Sequence, residues 1–242
     1  MKKLILFFVL LPIASFSQIS LGSAKKLSGS IKINAVFVNG DSSLWTKKEK
    51  DKYLSVLYKN MGWLSIKGRQ YKANISFSID TSNYFSPLSI FKNREKEEIG
   101  KIVNKYANND QYGYSLSKKA DNFLFVFFVK CDGRSFAERS IEISPNMFIE
   151  YSVIFYSYWP DIDGTESVMA HEVMHCFGAN DLYDDSDNKK DEKLQKIFPN
   201  EIMRYVGNLN NLLISRYTAN TIGWIKGYTK EFGEINRIII PK

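Results

Sequence analysis

Apolar and polar positions alternate along residues 31–38, a β-branched stretch that reads as a strand. Residues 46–61 change to helical spacing, with Thr46 at the N-cap and Gly62 just past the expected end. Alternation returns over 72–80, where Ile75, Phe77 and Ile79 share one face and Ser76 and Ser78 the other. Residues 92–106 form a charged amphipathic helix pattern. Residues 123–129 are continuously apolar, as in a central strand buried on both faces, and 141–143 and 149–156 supply two more strands. The order strand, helix, strand, helix, then three strands predicts an α/β sheet of about five strands with helices packed on it. Residues 165–177 follow as a helix. Asp163 or Thr165 is the expected cap, Glu166 sits near the positive end, and Gly178 can stop the helix in a left-handed conformation. A loop, a turn around Pro199 and a last helix over 212–222 complete the expectation.

Length and composition narrow this to one folded domain, since 242 residues with 44% hydrophobic and 24% charged positions are ordinary for a globular chain. The first residues stand apart. Lys2 and Lys3 precede an apolar run over 4–11, and Ser15 and Ser17 place small residues before a cut at Gln18. This is the pattern of a cleavable secretory signal over 1–17, with a mature chain over 18–242 that is secreted or periplasmic. The apolar run is short for a bilayer span and no second one follows, so stable membrane insertion is not expected. Removing 1–17 lowers the net charge from +7 to +5. The remaining basic residues are scattered without a basic–aromatic motif, which argues against a nucleic-acid partner. Two cysteines, Cys131 and Cys176, could pair in an oxidising compartment; Cys176 equally suits the buried side of a helix as a free thiol.

The segment that carries chemistry is His171-Glu-Val-Met-His175-Cys-Phe-Gly178-Ala-Asn-Asp181. Residues four apart on a helix share a face and lie about 6 Å apart along the axis at ~1.5 Å per residue, so His171 and His175 can reach one zinc ion. Glu172 is rotated about 100° from His171, where it can flank the metal as a base without binding it. Val168, Met169, Ala170, Val173, Cys176 and Phe177 make the helix apolar on nearly every side, so its polar groups need partners that a metal and its water supply. Both histidines of the chain are used, so a third ligand is a carboxylate or cysteine. Asp181, just past the turn at Gly178, is the first candidate and Asp184 its competitor.

The pattern His-Glu-x-x-His-x-x-Gly-x-x-Asp resembles the metzincin metallopeptidases, and its Asp variant resembles the snapalysins and the immune-inhibitor-A-like secreted peptidases. The continuation Asp181-Leu-Tyr-Asp184 is similar to the latter group. Glu201-Ile-Met203-Arg-Tyr205 resembles the metzincin Met-turn, and the stretch from Ile214 to Gly223-Trp224 is similar to the helix that follows it. The resemblance covers about residues 165–225. It implies a metzincin-like fold with a mixed sheet, an N-terminal lobe over about 30–178, a C-terminal lobe over about 179–242 and a cleft between them. It further implies Met203 beneath the metal and Tyr205 near it, although Met203 also reads as core filler and Tyr205 as a structural tyrosine.

On this reading the protein is a zinc endopeptidase acting on protein or peptide substrates. His171, His175 and Asp181 hold Zn2+, Glu172 acts as general base and acid, and Tyr205 assists the oxyanion. A strand near 140–144 could pair with an extended substrate. Two other functions share these residues: a metal-bound binding module, against which the intact Glu172 argues, and a zinc hydrolase of a non-peptide amide. The carboxylate-rich run from Asp184 to Glu192 departs from a full calcium loop and reads as solvated, with Ca2+ binding as the alternative.

Overall fold

The computed structural model describes residues 26–41, 43–107, 120–144, 147–156, 166–227 and 229–239. The expected signal segment and the expected caps Asp163 and Thr165 lie outside them. Five strands, β1 (Gly29–Asn39), β2 (Ile75–Phe85), β3 (Asn122–Val129), β4 (Phe136–Ser144) and β5 (Met147–Phe155), form one mixed sheet in the order β2-β1-β3-β5-β4. All neighbours are parallel except β4, which runs antiparallel to β5 at the sheet edge. The α/β sheet read from the sequence is therefore present.

Strand β3 divides the core. Leu124, Val126 and Phe128 point to one cluster, while Phe123, Phe125, Phe127 and Val129 point to the other. The first face is covered by α1 (Lys47–Gln70) and α4 (Val168–Cys176), the second by α2 (Leu88–Lys92) and α3 (Lys96–Ala107). Period-two alternation explains why this strand is apolar without interruption: both faces are interior. It also separates the two thiols. Cys176 is buried on the α4 side and Cys131 packs on the other, and both are free.

Helix α1 starts as expected. The Thr46 hydroxyl accepts the Glu49 N–H, and the Glu49 carboxylate accepts the Thr46 N–H at 2.8 Å, a reciprocal capping box. It does not stop at Gly62. Trp63 and Leu64 still face the core, so burial carries the helix to Gln70, and the chain turns at Lys72 with φ 59°. The single helix expected over 92–106 is instead α2 and α3, broken by a left-handed Arg94. The break lets Phe91 enter the core completely.

The C-terminal region departs most from expectation. Only Arg216–Thr221 is helical (α6), capped by Ser215, because Leu212 and Ile214 are buried through an extended segment bridged to Glu201. The polar run expected to be a loop folds from Asn188 to Ile197 as α5, its first N–H groups accepted by Asp187. A further helix, α7 (Lys230–Ile239), packs Phe232 and Ile235 inward. This region closes on the start of the fold: the Trp224 indole N–H donates to the Leu27 carbonyl at 2.5 Å, and the Leu27 N–H to Ile222 O at 3.1 Å.

Helix α4 is positioned by α1. Ser167 at its N-cap makes no side-chain cap bond to the helix. Its hydroxyl instead accepts the Gly207 N–H at 2.8 Å. Fully buried Asn60 replaces the missing cap from outside: its carbonyl accepts the Ala170 N–H at 2.9 Å, and its amide donates to Glu166 O at 2.6 Å. Glu166 itself pairs with Lys59. Asn60→Ala should leave a buried helix-end N–H without an acceptor. A loss on the order of 2 kcal/mol is expected, because an orphaned buried donor costs ~1–3 kcal/mol. Urea denaturation of the two proteins measures it.

Candidate metal centre and cleft

The α4 helix brings His171 and His175 one turn apart with their rings facing. Their Nε2 atoms are 3.0 Å apart, and Asp181 Oδ1 lies 3.2 Å from the first and 3.1 Å from the second. Gly178, at φ 108°, makes this closure possible by turning the chain back out of the helix. A Cβ there would meet Thr221 O at 3.0 Å as well. Among the described residues this is the only group of three or more His, Cys, Asp or Glu that could hold an ion.

The outer nitrogens show what the inner ones must do. His171 Nδ1 lies 2.9 Å from Ile202 O, and His175 Nδ1 lies 2.8 Å from Ala179 O. A carbonyl oxygen only accepts, so each Nδ1 carries the proton. With Nδ1 engaged, each ring turns Nε2 inward, and two imidazole nitrogens and a carboxylate oxygen converge on one point. The edges of this trio approach the ~3.3 Å separation of ligands placed tetrahedrally around an ion at ~2.0–2.1 Å. The donor set fits a divalent metal.

Glu172 lies beside this trio on the cleft wall. It is buried, and Oε2 has no hydrogen-bond partner. Burial pushes its pKa up to about 7, the Asp181 charge pushes in the same direction, and His171, Arg94 and Arg134 oppose the rise. A carboxyl group poised near neutrality is suited to taking and returning a proton.

The cleft has a volume of about 1070 Å³, large enough for several residues of a peptide. The open edge of β4 forms one wall, α4 the floor, and Asp181, Tyr183 and Arg204 come from the chain beyond Gly178. Tyr183 was not singled out by the sequence reading. Its hydroxyl accepts from Arg134 Nη2 at 2.7 Å and lies within hydrogen-bonding reach of Asp181. Burial first, and then the Asp181 charge, raise its pKa, so the hydroxyl keeps its proton. The signal available in the sequence was its place two residues after Asp181.

Tyr205 is placed differently from expectation. Arg204 and Val206 line the cleft but Tyr205 does not; its ring packs against the core, with the Arg204 guanidinium 5.2 Å from its centroid. The turn it belongs to is nevertheless close to the metal trio. Met203 is fully buried, its carbonyl accepts the Leu182 N–H at 2.9 Å, and the adjacent Ile202 carbonyl holds His171. Asp184 is turned away. Lys190 at 2.7 Å and the Ser186 N–H and hydroxyl occupy it, and they hold its carboxyl well below the usual range. Asp191 takes Arg204 through two 2.7 Å bonds. Bases thus pair with three of the carboxylates read as an alternative calcium site, Asp184, Asp185 and Asp191, Asp187 caps a helix, and no second ion cluster occurs among the described residues.

No family profile matches the chain, and no curated protein matches it. Among solved structures, the chain is similar to part of one titled "Structure of a chaperone-substrate complex", at 14% identity and a TM-score of 0.38. The match covers 67% of this chain and 28% of that one, and a likeness this weak carries no argument.

Metal content after dialysis tests the ligand set. Asp181→Ala should lose the ion, because it removes one of three converging donors. Asp184→Ala should retain it. The reverse outcome would assign the third ligand to Asp184.

Proposed function

We propose that the protein is a secreted zinc-dependent endopeptidase of metzincin type, with His171, His175 and Asp181 as ligands and Glu172 as the proton-transferring base. The observation that carries this reading is an unpartnered, buried Glu172 oxygen next to three converging metal donors in a cleft edged by an open strand. Two nitrogens and one oxygen suit zinc, and three protein ligands leave a position open for chemistry. The sequence from His171 to Asp181, the buried Met203 under the same core and the antiparallel edge strand β4 support the metzincin assignment. The Lys2-Lys3 start and the apolar run over 4–11 support export. Among the described residues no helix is long and apolar enough to cross a membrane.

When bound, zinc supplies Lewis-acid polarisation and lowers the pKa of water. The chain's own residues do the rest. An extended peptide adds to the free edge of β4, which aligns its backbone over α4. Glu172 accepts a proton from the attacking water at its unpartnered oxygen and delivers it to the departing amine nitrogen. The Tyr183 hydroxyl, held by Arg134, is a side-chain donor in the cleft that can turn toward the developing oxyanion. We assign to Tyr183 the role expected of Tyr205.

Glu172→Gln should keep its metal and lose hydrolysis of an unstructured protein such as casein, since the amide has no base to offer at neutral pH. Wild-type activity should vanish with a chelator and return with zinc. Casein turnover by the Gln variant at the wild-type rate would leave a binding role for the metal and no role for Glu172.

Tyr183→Phe should lower kcat by about 10²–10³ with little change in KM, the loss typical of one oxyanion donor. Tyr205→Phe should turn over nearly normally. Steady-state kinetics on both variants separates the two tyrosines, and a kcat loss confined to Tyr205→Phe would reverse the assignment.

A further inference from the structure

The charges along the cleft balance, four against four, until an ion binds. Arg94, Arg134, Arg139 and Arg204 line it, opposite Glu172, Asp181, Asp185 and Asp191. Arg204 is closed onto Asp191. Arg134 Nη1 lies 3.1 Å from Asp185, an exposed and exchangeable pair. A divalent ion at the histidines offsets Asp181 and Glu172. Arg94 and Arg139 then face the cleft with no carboxylate in salt-bridge range among the described residues.

Of the two, Arg94 is held in place. It occupies the left-handed region at φ 54°, in the break between α2 and α3, a conformation rare for residues with a Cβ. Its guanidinium carbon stands 4.6 Å from the centroid of the Phe136 ring, which is itself buried. Nη2 donates to the Arg134 carbonyl at 3.4 Å. Stacking fixes the plane of the group and leaves its remaining N–H donors to the cleft, the arrangement in which arginine binds a carboxylate at least entropic cost. Both Arg94 and Arg134 line the same cleft as Glu172 and the histidines. They therefore stand beside the position where a peptide bond would be cut.

We propose that the cleft selects carboxylate-bearing peptides, with Arg94, assisted by Arg134, binding an anionic group of the bound chain next to the scissile bond. The proposal rests on the peptidase reading and names the substrate class of that same site. The same carboxylate chemistry comes from two sources, an internal Asp or Glu side chain or a free C-terminus.

Three labelled peptides of otherwise identical sequence distinguish them: internal Glu with an amidated end, internal Gln with a free end, and internal Gln with an amidated end. Binding is measured by fluorescence anisotropy to the zinc-loaded Glu172→Gln protein, which cannot consume them. At least one carboxylate peptide should bind about tenfold tighter than the neutral one, the value of one charge-assisted hydrogen bond. The advantage should shrink with salt and fall to near unity in Arg94→Asn, a residue that tolerates positive φ. Arg94→Lys should restore part of it. Metal content and thermal midpoint confirm that each variant is folded. Equal binding of all three peptides, no binding of any, or an advantage that survives Arg94→Asn would overturn the proposal. Hydrolysis of the neutral peptide by the wild-type protein reports on the peptidase reading alone. If no peptide is cut while the carboxylate advantage still depends on Arg94, that reading fails and the recognition stands.

Discussion

Two hydrogen bonds from imidazole Nδ1 atoms to backbone carbonyls organise this molecule. One runs from His171 to Ile202, the other from His175 to Ala179. In a neutral imidazole each selects the Nδ1–H tautomer, and each fixes the ring so that Nε2 faces the other ring. Each also ties the metal trio to a segment of chain beyond Gly178. The chain beyond Gly178 thus supplies both the third donor and the carbonyls that hold the outer nitrogens of the first two.

Those rings can be held so closely because the helix carrying them is immobilised from several sides. Asn60 caps it from α1, the apolar side chains of α4 lie in the core that joins sheet and C-terminal lobe, and Ser167 reaches across to Gly207. Burying two imidazoles and a glutamate in such a place costs free energy unless each polar atom finds a partner. The outer nitrogens find carbonyls and the inner atoms find one another, whereas Glu172 Oε2 finds no partner. Folding stability has been given up at one spot, as is usual where an environment must perturb a carboxyl group.

Much of this was legible in the sequence. Alternating and continuous apolar runs pointed to the strands and their sheet, and the spacing from His171 to Asp181 pointed to the three donors that converge. Thr46 and Gly178 acted locally, as residue type alone suggests. Local reasoning lost its hold where distant packing decided the outcome. Gly62 is a plausible helix end, but Trp63 and Leu64 were already committed to the core. Residues 212–214 have helical character by composition, yet their pairing with Asn200 and Glu201 draws them out straight. Residues 188–197 looked like a solvated run because only Leu194 is buried. Tyr183 escaped the sequence reading because nothing local marks it, whereas the path of the backbone brings it, and not Tyr205, to the lining of the cleft.

The bonds between Leu27 and the pair Ile222 and Trp224 join segments 195 or more residues apart. Contacts of such separation carry the largest loop-closure entropy and contribute to slow folding. They cannot form on a chain still being synthesised until Trp224 has emerged. The first strand must therefore wait, with its leading end unlatched, for almost the whole polypeptide. Closing this latch therefore needs a loop of about 195 residues to be in place first, which sets it late among the contacts of the fold.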